Sequence, residues 1–123
     1  MTKIQNSKQN SKNYDLEERT YNFAKRCRDY VKKLPRIISN IEYGRQLIRS
    51  SGSQAANYIE ANESLSKKDF KMRIKICRKE VKESRLWLKL SEPRKGYEKE
   101  KQDLIKEATE LMKIFGSILE KSK

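Results

Sequence analysis

Apolar residues in this chain recur at steps of three and four over most of its length, a spacing that fits amphipathic helices and little else. Leu16, Thr20, Phe23, Cys27, Tyr30 and Leu34 form one such series, with Ala24 and Val31 widening the stripe. Phe70, Ile74, Cys77, Val81, Ser84 and Leu88 form a second, heptad-like series. Leu104, Ala108, Leu111, Phe115 and Ile118 form a third, beside a parallel row of Ile105, Met112 and Leu119. A stripe as wide as the last one touches more than one neighbour: it either seals a core or leaves a row for another subunit.

Breaks between these series are marked by capping and breaking residues. Asp15 with Glu18 predicts the start of a first helix, and Pro35 its end. Ser39 with Glu42 predicts the start of a second helix, running to about Asn62. Ser66 with Asp69 opens a third, which stops near Ser91 before Pro93 and Gly96, and a fourth spans about Tyr97 to Lys121. Helices of roughly 20 to 25 residues are about 30 to 37 Å long. Short connections between such helices predict an all-α, antiparallel up-down four-helix bundle over residues 15–121. Residues 1–14 carry three lysines, no acid and almost nothing to bury, and are expected to form a disordered basic tail.

The second helix is unlike the others. Arg49 to Glu63 reads RSSGSQAANYIEANE, with few large apolar residues. Ile41, Ile48, Ala55 and Ile59 are expected to face the core, with Gly44, Gly52 and Ala56 where neighbouring backbones come close. Two helical glycines cost about 1 kcal/mol each relative to alanine, which implies a packing reason for them. Arg49, Ser53, Asn57 and Glu60 share another face. They read as a polar layer that sets helix register, with Arg49 paired to Glu80 or Glu83 of the third helix, or alternatively as a surface that recognises a ligand or partner.

Charge is where a functional signal enters. The chain has 30 Lys and Arg against 17 Asp and Glu, a formal +13. Residues 66–91 hold ten basic and three acidic side chains, so +7 of the +13 sits on the third helix. Lys71, Lys75, Arg78, Lys82, Arg85 and Lys89 follow one another at steps of four and three. They form a single basic row roughly 27 Å long. Like charges at this spacing destabilise an isolated helix by a few tenths of a kcal/mol per pair, which favours a bound anion as the reason for the row. A phosphate backbone, RNA or DNA, fits it without base reading. The alternatives are neutralisation by Glu100, Glu107 and Glu110 of the fourth helix or by another subunit, and a plain solvated face. Trp87 and Phe70 are the only aromatics on the third helix, so stacking on unpaired bases has little support.

Several function classes are excluded or disfavoured. The chain has no histidine, which removes di-iron bundles built on Glu-x-x-His and helical ribonucleases built on Arg-x4-His. The carboxylates Glu60, Glu63, Glu80 and Glu83 alone do not make such a metal site, and no cofactor is expected. Cys27 and Cys77 lie fifty residues apart on apolar stripes and read as reduced core residues. No apolar run is long enough to span a membrane and no apolar segment follows the N-terminal lysines, so a cytoplasmic, non-enzymatic protein is expected.

Three segments carry a resemblance: QLIRSSGS at 46–53, AANYIEANESLSKKDF at 55–70 and KICRKEVKESRLWLKL at 75–90. With them the chain resembles the four-helix 23S rRNA intervening sequence proteins, also called S23, over roughly residues 15–119. It is also similar to the accessory variability determinants of diversity-generating retroelements. Gln54 departs from the pattern, since an apolar residue is common there. The resemblance implies a ring-like homopentamer with a basic surface suspected of touching nucleic acid, or a scaffold that docks a reverse transcriptase and its RNA. It brings no catalytic residues.

Overall fold

Proline and capping chemistry decide where the helices break, and the computed structural model, which describes the backbone of residues 11–123 and side chains from Leu16 onward, shows both at work. Its helices are α1 (Ser11–Lys32), α2 (Ile38–Asn62), α3 (Lys67–Leu90) and α4 (Glu98–Lys121). Ser66 caps α3 by accepting from the Asp69 amide at 3.0 Å, as its sequence predicts. Gly96 provides the left-handed residue, φ 98°, that the turn before α4 needs.

Two starts differ from expectation. α1 begins at Ser11 rather than near Asp15, so Asp15 lies inside the helix; the rest of the expected tail, residues 1–10, falls outside the described residues. α2 begins at Ile38, with Ile37 at the cap position and no side-chain cap. Ser39 therefore sits within the first turn and cannot act as the cap.

Cross-helix contacts show the antiparallel order. Gln54 reaches Thr20 and Asn62 reaches Glu17 between α1 and α2; Ser50 reaches Ser84 and Asn57 meets Arg73 between α2 and α3. Arg85 meets Thr109 between α3 and α4, and Arg19 meets Glu107 between α1 and α4. Each helix thus packs on two neighbours, with α1 and α4 the least closely joined. The expected series on α1, α3 and α4 point inward: Phe23, Cys27, Ile74, Cys77, Val81, Leu88, Leu104, Leu111 and Phe115 are all buried. Full burial of a large apolar side chain stabilises by about 1.5–3 kcal/mol. Ile105, Met112 and Leu119 pack half-buried against this core.

The face of α2 is the main correction. Ile48 and Ile59 are 46% and 47% exposed, whereas Asn40, Gly44, Leu47, Ser51, Gln54, Tyr58 and Ala61 turn inward. The inward set also steps by four and three, but from a different start. Apart from Leu47 and Tyr58, which join the core, its residues are small or polar, and several are matched to specific partners. A Cβ at Gly44 would lie 2.8 Å from Val31 Cγ1, so this glycine lets α1 and α2 approach. Gly52 has open space around it and no such role within the bundle.

Polar groups tie the ends and the middle. Asn40 donates to the Pro35 and Glu92 carbonyls, each at 3.0 Å, and accepts from the Glu92 amide, joining two connections at one end of the bundle. Beside it, Tyr30 and Ser91 share a 2.6 Å hydrogen bond and Lys101 donates to the Ser91 carbonyl. At mid-height the Gln54 amide donates to the carbonyls of Thr20 and Ser51, while its Oε1 is buried without a partner among the described residues.

Candidate nucleic-acid interface

Where the basic row points follows from what α3 packs against. Ile74, Cys77, Val81, Ser84 and Leu88 are committed to the core, and Arg73 and Glu80 to the α2 side. Lys71, Lys75, Arg78, Lys82, Arg85 and Lys89 are one position on from the core series, which turns them toward the α4 side. Lys75, Arg78, Lys82 and Lys89 are exposed, and Lys71 and Arg85 half-buried. Two arginines are laid against α4: Arg85 Nη1 donates to Thr109 Oγ1 at 3.1 Å, and Arg78 lies over Gly116, with Nε 3.7 Å from where a Cβ would stand. Neither contact neutralises charge. Both hold a guanidinium in place and leave its remaining donors for another acceptor.

The acids expected as neutralising partners are elsewhere. Glu107 accepts two hydrogen bonds from Arg19 of α1, at 2.7 and 3.0 Å, and Glu100 accepts from Lys33 at 2.8 Å. The bond to Glu107 raises the Arg19 pKa against the opposing effect of burial, with Glu110 adding to the attraction. Lys33 is raised mainly by its bond to Glu100. Glu107 and Glu100 are thus engaged by Arg19 and by Lys33 just past α1, and none of the three carboxylates is in an ion pair with the row among the described residues. Among the described residues, no cation of the row forms an ion pair. Charge is segregated: α1 and α4 share paired charges, while α3 and α4 present unpaired cations.

On the opposite side of α3, Arg49 Nη2 lies 3.0 Å from Glu83 Oε1 and 3.4 Å from Glu80 Oε1, so it meets both carboxylates. Asn57 donates to the Ser53 carbonyl and hydroxyl at 3.0 and 3.2 Å. Asn57 also accepts from Arg73 at 2.9 Å, a partner that the spacing within α2 gave no means of finding. Glu60 is exposed, and its carboxylate bonds to none of the described side chains, so the structure does not join it to the layer. Trp87 stacks on Tyr43 along this seam, ring centroids 6.0 Å apart, which takes it away from the basic row.

The thiols are not poised for chemistry. Burial pushes Cys27 and Cys77 up to about 12, against smaller opposing contacts with Ser51 for the first and backbone for the second. Cys77 donates to the Gln54 carbonyl at 3.4 Å. Among the described residues there is no cluster of carboxylates and thiols that would hold a metal ion, and no helix long and apolar enough to cross a membrane.

A small all-α protein, four helices in one bundle with a localised basic face, is the class these features define. The family follows from comparison. A model of the 23S rRNA-intervening sequence protein family matches residues 12–117, and the chain belongs to that family. A solved structure with the same fold is a protein described as of unknown function from the S23 ribosomal protein family of Bacteroides thetaiotaomicron. It is 28% identical, covers 84% of this chain and 96% of its own, and has a TM-score of 0.71. No curated protein matches the sequence.

Proposed function

We propose that this protein is a non-enzymatic, homo-oligomeric nucleic-acid-binding protein that grips the phosphate backbone through the basic row of α3. The observation that carries this reading is the segregation of charge. Glu107 and Glu100 of α4 are held by Arg19 and Lys33, while Lys75, Arg78, Lys82 and Lys89 are exposed and in no ion pair among the described residues. A row this long meets several phosphates, and each neutralised phosphate steepens the salt dependence of binding. The test is affinity against salt concentration for the wild type and for a Lys75→Ala, Arg78→Ala, Lys82→Ala variant. A weaker and flatter response is expected of the variant; an unchanged affinity and slope would remove the assignment.

Self-association is supported by apolar exposure on two different faces. Ile48 and Ile59 lie exposed on α2, and Met72, Leu86 and Leu90 lie exposed on the outer side of α3. Two distinct patches suit a head-to-tail contact, which closes into a ring when the rotation allows. The family resemblance implies five subunits in that ring. A ring multiplies the row and makes weak phosphate contacts strong in sum. The alternative occupant of the outer α3 patch is a partner enzyme such as a reverse transcriptase, favoured by the adjacency of Met72, Leu86 and Leu90 to the basic row. Light scattering of the pure protein separates the two, since a monomer would leave only the second.

A further inference from the structure

We propose that the nucleic acid is a duplex, and that a second row of cations on α4, Lys106 and Lys113, holds its other strand. This rests on the reading of α3 as a phosphate-binding helix and adds what lies across the groove from it. The contacts Arg85 to Thr109 and Arg78 to Gly116 mark the line along which the α3 row meets α4. Lys106 lies three residues before Thr109, and Lys113 lies four after Thr109 and three before Gly116. At those spacings they lie beside Thr109 and Gly116, and both are exposed; Glu110, four after Lys106 and three before Lys113, flanks them on the α1 side, where it attracts Arg19. Neither lysine is in an ion pair among the described residues.

The result is a long basic row on α3 beside two exposed lysines on the adjacent antiparallel α4. Packed helices lie about 8–10 Å apart, and Lys106 and Lys113 are about 10 Å apart along their own axis. A single strand presents one line of phosphates. A duplex presents two, flanking grooves about 6 and 12 Å wide in the B form, and long basic side chains on neighbouring helices can reach phosphates on both sides of one. The second observation is what this face lacks. Single-strand binders place bases on aromatic platforms. Among the described residues the exposed aromatics are Tyr21 on α1 and Tyr97, the latter beneath Lys33 just past the end of α1. Neither lies on the α3–α4 face, and Trp87 is stacked on Tyr43 at the far side of α3.

The experiment measures binding of the full chain to short RNA and DNA duplexes and to their separated strands, for the wild type and a Lys106→Ala, Lys113→Ala variant. Both lysines are exposed, and circular dichroism verifies the fold. At about 0.9 per phosphate, losing two contacts lowers the duplex salt slope by about 1.8 per protomer. The wild type is therefore expected to lose about 12-fold more duplex affinity than the variant between about 50 and 200 mM salt. Single-strand slopes are expected to be the same for both proteins. An unchanged duplex slope, or an equal fall on duplex and single strand, overturns the two-row assignment. If the α3 triple variant loses binding while the α4 variant does not, the α3 reading stands and this one falls. If the wild type binds no nucleic acid, both fall.

Discussion

Gly44 and Gly116 are both helical glycines, yet the structure gives them opposite responses to alanine. Alanine gains about 1 kcal/mol over glycine in a helix interior. At Gly116 that gain is realised, because a Cβ would meet Arg78 Nε at 3.7 Å, an ordinary contact. At Gly44 the new Cβ would lie 2.8 Å from Val31 Cγ1. Val31 cannot swing aside cheaply, because a helical valine has one strongly preferred rotamer. Forcing a methyl into such a site costs about 1–3 kcal/mol. Gly44→Ala is therefore expected to be neutral to about 2 kcal/mol destabilising, and Gly116→Ala to stabilise by about 0.5–1 kcal/mol. Urea unfolding followed by circular dichroism, at one protein concentration for all three proteins, gives the comparison through the midpoints. Equal stabilisation by both substitutions would refute the close approach of α1 and α2 at Gly44.

Gln54→Met removes a buried Oε1 that has no partner among the described residues, at the cost of two bonds to carbonyls that lie within helices. The relieved penalty of about 1–3 kcal/mol offsets two lost bonds at about 0.5–1.5 kcal/mol each, so stability is expected to stay within about 2 kcal/mol of the wild type, and a loss above about 3 kcal/mol would show that Oε1 is satisfied. The folded thiols stay protonated to about pH 12, while unfolded cysteine titrates near about 8.5. Above that pH the unfolded state binds fewer protons, so stability falls as pH rises from about 8.5 toward 12. The raised Tyr30 and Tyr58 add the same sign at higher pH. Urea midpoints across that range check this, and a Cys27→Ala, Cys77→Ala variant is expected to show a shallower decline. Ile48→Asp with Ile59→Asp is expected to abolish the proposed self-association in light scattering while leaving helix content intact, since both side chains are about half exposed.

How far the sequence could be read depends on what each helix buries. α1 and α3 were legible because their inward positions carry a consistent run of Leu, Phe, Cys, Tyr, Ile and Val, and no competing apolar row exists on either helix as strong as that one. On α2 two rows compete. Its isoleucines lie outside, and its inward row holds Asn40, Gly44, Ser51 and Gln54, whose burial depends on Glu92, Val31 and Thr20 on other parts of the chain. Local periodicity has no access to those partners, so hydrophobicity alone chose the wrong row. The basic row of α3 was visible from spacing. Its freedom from the α4 acids was not, because Glu100 and Glu107 are turned to Lys33 and Arg19 only once α1 closes the bundle.

In the proposed function the arrangement of cations on α3, rather than the overall charge of +13, makes the binding surface. A matched pair of variants tests it most directly: Lys75→Ala, Arg78→Ala, Lys82→Ala on α3, and Lys25→Ala, Arg26→Ala, Lys32→Ala on the exposed side of α1. Both remove three positive charges, and both are titrated with the same RNA or DNA at several salt concentrations. The expected result is a salt slope lowered by about 2.7 per protomer for the α3 variant and little changed for the α1 variant. Equal losses in the two would mean that net charge alone attracts nucleic acid, and would contradict the assignment of the α3 row.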